Sequence, residues 1–94
     1  MVAGSHGSLA LVLYNLGEYQ KAEDECRASM SFFGNIGSRG HYAVLQYRLG
    51  LIKEAQGDMP TALDLAKSAL EPCRQLGMSE EILKLEALVS RLER

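Results

Sequence analysis

Apolar residues recur at three- and four-residue intervals along this chain, in runs separated by glycine-centred breaks. Residues three and four apart share one face of a helix, so the spacing predicts amphipathic helices. The first run covers residues 5–16, with Leu9, Leu13 and Leu16 on one side. The second covers 19–33, striped by Tyr19, Ala22, Cys26, Ser29, Met30 and Phe33. The third covers 39–56, with Tyr42, Leu45, Leu49 and Ile52 on one face. The fourth covers 60–76, with Leu63, Ala66, Ala69, Leu70 and Cys73, and the fifth covers 79–92, with Ile82, Leu85, Val89 and Leu92. No stretch sustains the two-residue alternation of a strand. The predicted fold class is all-α, a chain of antiparallel helical hairpins.

The breaks support this division. Gly17 interrupts an apolar run, and the segment from Gly34 to Ser38 is a turn cluster. Gly57-Asp58-Met59-Pro60 is a third break, with Asp58 expected as an N-cap and Pro60 suited to a first helical turn. Gly77-Met78-Ser79 is the fourth, with Ser79 expected as a cap. One glycine does not fit the division. Gly50 falls inside the third helix, where it costs roughly 1 kcal/mol relative to alanine.

Shifting the sequence by 40 positions against itself explains Gly50. Leu9 then meets Leu49, Leu11 meets Leu51, Gly17 meets Gly57, Ala22 meets Ala62, Asp24 meets Asp64, Gly37 meets Gly77 and Leu45 meets Leu85. A period in this range built of two helices signals a solenoid. Two antiparallel helices approach closely only where the contact residues are small. The repeat therefore pairs Gly50 with Ala62, and Ala10 with Ala22, as helix-packing positions. Gly57 has the different job of ending the helix in a left-handed conformation.

The repeating residues are Leu9, Ala10, Gly17, Tyr19, Ala22 and Ser29 in one unit and Leu49, Gly50, Gly57, Met59, Ala62 and Ala69 in the next. This pattern resembles the tetratricopeptide repeat. The usual period is 34 residues, and the longer period here is similar to repeats of mitotic-spindle scaffolds and bacterial signal-transduction ATPase regulators. The motif's Trp and one aromatic are absent, with Gln46 and Lys53 in their places. The resemblance implies a right-handed α-solenoid over residues 1–94. Its parts are a first repeat at about 3–38, a second at about 39–77 and a C-terminal capping helix at 79–94, as part of a larger protein.

Composition narrows the chemistry. The 94 residues carry a formal net charge of −2, with Lys and Arg scattered among the acids. No basic face points to nucleic acid. No apolar run approaches the ~20 residues that cross a bilayer, and the N-terminal MVAGSHGS lacks the basic and apolar regions of a secretory signal. The two cysteines, Cys26 and Cys73, both fall on apolar stripes and are expected as buried thiols in a reducing, cytoplasmic compartment. His6 and His41 have no nearby acid, Ser or Cys at a spacing that builds a triad or metal pair. Glu80-Glu81 open a helix, where the dipole favours acids. No glycine-rich phosphate loop occurs. The chain is expected to be non-enzymatic, with no catalytic residue, no metal, no cofactor and no small-molecule substrate.

A protein or peptide partner is the remaining expectation. The resemblance implies a concave groove made by the first helix of each unit. Its positions fall on Leu11 and Tyr14, then Val44, Tyr47, Arg48, Leu51 and Glu54, then Lys84, Ala87 and Arg91 of the fifth helix. This mixture suits an extended or helical peptide of some acidic character. The clamp by which chaperone-tail-binding members hold a carboxylate is not expected, because Ser8, Arg48 and Leu88 stand in its slots. The fifth helix is apolar on more than one side, and Leu83 and Leu88 read either as surplus surface for self-association or as cover for the fourth helix. The alternative functional reading is therefore a structural, oligomerising element, and a third is the sensor segment of a bacterial regulator.

Overall fold

The computed structural model describes residues 11–93. Five helices occur among them. Residues 11–15 form the described part of α1. The others are α2 (Tyr19–Asn35), α3 (Arg39–Ala55), α4 (Met59–Leu76) and α5 (Ser79–Leu92). Ala10 and His6 lie outside the described residues, as do residues 5–10 of the predicted first helix.

One turn joins every consecutive pair of helices. Gly17, Gly37, Gly57 and Gly77 all have positive φ, between 69° and 87°. At each, the glycine N–H bonds a carbonyl three residues back and the next N–H bonds one five residues back. Around Gly57 these bonds run to Glu54 at 3.0 Å and from Asp58 to Lys53 at 2.8 Å. That pair of bonds is the Schellman motif, which satisfies carbonyls that a helix end leaves open. The residue that closes each motif also begins the next helix, so no linker separates them. Asp58 caps α4 through a bond from the Thr61 N–H, at 3.4 Å. Ser79 does not cap α5. Met78 occupies that position, with no side-chain cap, and Ser79 is the first helical residue. α2 runs to Asn35, past the predicted end at Phe33, because the positive-φ glycine that reverses the chain is Gly37. Pro72 stands inside α4 without ending it.

Consecutive helices pack antiparallel. Glu23 and Gly34 of α2 meet Lys53 and Tyr42 of α3. Arg74 and Lys67 of α4 pair with Glu86 of α5 and with Glu93 at its C-terminal cap. The helices form two layers, α1, α3 and α5 in one and α2 and α4 in the other. α3 is central, packing on both α2 and α4.

Two apolar clusters hold the stack. One joins Ala22, Cys26, Met30 and Phe33 to Leu45, Leu49 and Ile52, and the other joins Ala43 to Ala66, Ala69, Leu70, Cys73, Leu85 and Leu88. Both cysteines are free and buried. Gly50 lies where three helices meet. An added Cβ there would stand 3.5 Å from the Ala62 carbonyl oxygen, 3.5 Å from a Leu88 methyl and 3.9 Å from the Leu65 Cβ. Leu88 is thus not surplus surface. It is 1% exposed because it packs into the second cluster with α4 and its methyl reaches the gap that Gly50 leaves. Leu83, by contrast, is 68% exposed.

One charged group is buried in this framework. Glu23 is 8% exposed on α2. It accepts from the Lys53 Nζ of α3 at 3.0 Å and from the Arg27 Nε of its own helix at 2.8 Å. Desolvation pushes its pKa up, but the bonds and charges of Arg27 and Lys53 together outweigh it and leave the pKa below the ordinary value. Lys53 occupies the motif's aromatic position, and an ion pair replaces ring packing between α2 and α3.

Candidate functional site

The face formed by α1, α3 and α5 gathers several of the predicted groove residues. The helical spacing from Val44 to Glu54 carries side chains of α3 past both neighbours in the layer. Leu11 and Tyr14 of α1 share a shallow crevice with Arg48, Leu51 and Ile52 of α3. Tyr14 packs onto the first apolar cluster and Tyr47 and Leu51 onto the second. Each therefore has a fixed, half-buried ring or side chain with an accessible edge. Tyr14 also lies against Tyr19, with ring centroids 5.7 Å apart.

At the other side of α3, Arg91 of α5 donates two bonds to the Glu54 carboxylate, at 2.7 and 2.6 Å. A two-point bond of this kind fixes orientation as well as distance. Arg91 remains half exposed, so the pair contributes at most about 1 kcal/mol to stability. Glu54 raises the Arg91 pKa above its ordinary value by hydrogen bonding, against a smaller opposing effect of burial. The phenols of Tyr47 and Tyr14 act in the same direction as Glu54.

Not every predicted position joins this cluster. Val44 is half-buried, and Lys84 and Ala87 are exposed on α5. None of the three lines the crevice or enters the ion pair. The Glu54–Arg91 pair itself was not visible as a pair in the sequence, because its members are 37 residues apart.

The cysteines lie away from this face in chemical character. Cys26 donates its thiol hydrogen to the Leu45 carbonyl, at 3.2 Å, and burial raises its pKa to about 11. Burial also raises that of Cys73. A thiol held protonated is a weak nucleophile. His41 stacks on Phe33 with ring centroids 4.5 Å apart, and its Nδ1 lies 2.7 Å from the Ser38 hydroxyl. Among the described residues, no group of three His, Cys, Asp or Glu is placed to hold a metal ion. No helix among them is long and apolar enough to cross a membrane.

The arrangement offers aromatic edges, aliphatic side chains and an ion-paired guanidinium across three helices. A family model for the tetratricopeptide repeat matches residues 1–84. No curated protein matches the chain.

Proposed function

The chain belongs to the tetratricopeptide repeat family, whose repeats in general mediate contacts between proteins, and from that premise we propose that it is a non-enzymatic interaction module. Its partner lies along the face of α1, α3 and α5, as a peptide or a helix of another protein. The observation that carries this reading is the convergence of Tyr14, Tyr47, Leu51 and the Glu54–Arg91 pair from three helices onto one surface. Half-buried tyrosines with a neighbouring arginine are the residue types that dominate binding energy at protein interfaces. Arg91 and Arg48 favour a partner with carboxylates. The module serves within a scaffold or regulator, and residues 1–94 act as one domain. Two protonated buried thiols fit a reducing compartment.

Immobilised protein tests this. Tyr47→Ala combined with Arg48→Ala is compared with wild type for capture of a partner from extract, after thermal denaturation has shown both to be folded. Loss of a captured protein with the double variant is the expected result. Undiminished capture would remove these residues from the contact.

Leu83 supports a second reading. Among the described residues it is the most exposed of the large apolar side chains, at 68%. Self-association through α5 would cover it. Light scattering over a concentration series tests that reading, and a strict monomer would end it.

A further inference from the structure

The other face of the molecule carries a second recess. A cleft of about 490 Å³ opens between the C-terminal ends of α2 and α4, which flank α3 without packing extensively on each other. Its walls are Phe33, Tyr42, Gln46, Pro72 and Arg39. A neighbouring cleft of about 360 Å³ shares Gly34 and Tyr42 and is bordered by Arg27. Tyr42 forms the ridge between them. Its ring lies on α2 at Gly34, 3.5 Å from where a Cβ would be.

Gln46 explains why the first cleft is open. In the repeat pattern W-x₂-L-G-x₂-Y, Leu49 and Gly50 fix the register, and Gln46 then occupies the Trp position. An indole there would fill space that the shorter amide leaves. The electrostatics of the recess are one-sided. No Asp or Glu lines either cleft, although the chain as a whole is acidic. The Arg39 guanidinium is held by the neutral Gln75 side chain, which also donates to Glu71 at 3.1 Å. Arg39 makes no ion pair among the described residues, so a carboxylate entering the cleft would be the first to meet it.

We propose that this cleft, on the face of α2 and α4, is a second docking site, which takes an aromatic side chain of a partner peptide with an acidic residue beside it. The ring enters the room vacated at Gln46, between Phe33, Tyr42 and Pro72. The neighbouring carboxylate meets Arg39. The site is separate from the face of α1, α3 and α5, and the two can be filled together.

Titration of the isotopically labelled chain, followed by NMR, tests this with two blocked dipeptides, acetyl-Phe-Glu-amide and acetyl-Phe-Lys-amide. Saturable shifts are expected at Gly34, Gly37, Arg39, Tyr42 and Gln46 with the acidic peptide. Its affinity should be about fivefold higher than that of the basic one, the equivalent of one ion contact in water at ~4 Å. Arg39→Glu, an exposed substitution, should reverse the preference. Gln46→Trp should fill the cleft and abolish the shifts while keeping the fold. Equal affinity for the two peptides would overturn the proposal. So would shifts centred on Tyr14 and Tyr47, an absence of saturable shifts, or binding that survives Gln46→Trp. Concentration-dependent shifts at the same residues without peptide would also overturn it, since another copy of the chain would then fill the cleft.

Discussion

Gly50 yields a prediction whose sign changes with the size of the substitution. The position is helical, so alanine there recovers up to about 1 kcal/mol of helix propensity. The added methyl would make ordinary van der Waals contacts, at 3.5 Å with the Ala62 carbonyl oxygen and a Leu88 methyl and 3.9 Å with Leu65. Gly50→Ala should therefore stabilise the fold by about 0.5–1 kcal/mol. Gly50→Leu should not. Its further carbons extend from a Cβ already in contact with the α4 backbone and with α5, and neither can withdraw without opening the second apolar cluster. Overpacking of this kind costs typically 1–3 kcal/mol. For a domain of this size, 1 kcal/mol moves the thermal midpoint by about 4–8 °C. Circular dichroism melts of the three proteins give the comparison directly, with midpoints ordered Ala above wild type above Leu. A Leu variant as stable as wild type would refute the three-helix contact. An Ala variant as destabilised as Leu would show that the helices are closer than the structure has them.

Gly57 should respond in the opposite way to alanine. Its φ is 87° and nothing lies within 4 Å of an added Cβ, so the cost is one of backbone alone, about 1–2 kcal/mol, read as a lower urea midpoint for Gly57→Ala. Glu23 predicts an acid limb. Its folded pKa lies below the ordinary 4.5, so the stability it contributes is present above that value and is lost as pH falls through the folded pKa. Urea midpoints measured from neutral pH down past 4.5 should fall less steeply for Glu23→Gln than for wild type, and parallel curves would discount the carboxylate. Cys26, with its pKa raised to about 11, should react with a disulfide reagent at neutral pH only as fast as the chain opens, so its rate should rise with urea. Fast modification of the folded protein would contradict its burial.

The helices and their turns were legible in the sequence because they depend on short-range signals. Each turn needs one residue that accepts positive φ, and Gly17, Gly37, Gly57 and Gly77 recur every 20 residues. The 40-residue offset contained that spacing twice over. The pairing of Gly50 with Ala62 was legible for a related reason, since a small residue in an otherwise good helix marks a close approach. The role of Leu88 was not. Its apolarity is visible locally and cover for the fourth helix was one of its two readings, but the choice between them depends on how α5 packs on α4 beside the gap at Gly50. The pairing of Glu23 with Lys53 was not legible, because it joins residues 30 apart across two helices. Glu54 and Arg91 were placed on one face by the repeat register, but their bond depends on the layer spacing of α3 and α5. The cleft beside Gln46 had a faint signal in the missing Trp of the motif. Its charge depended on which side chains the fold brings to its rim.

On the proposed function, a protein partner binds the face of α1, α3 and α5. NMR mapping of the labelled chain against a captured partner tests it most directly. Intensity loss is expected to centre on Tyr14, Tyr47, Leu51 and Arg91. Losses that spare these residues and gather around Leu83 or along α2 and α4 would contradict it.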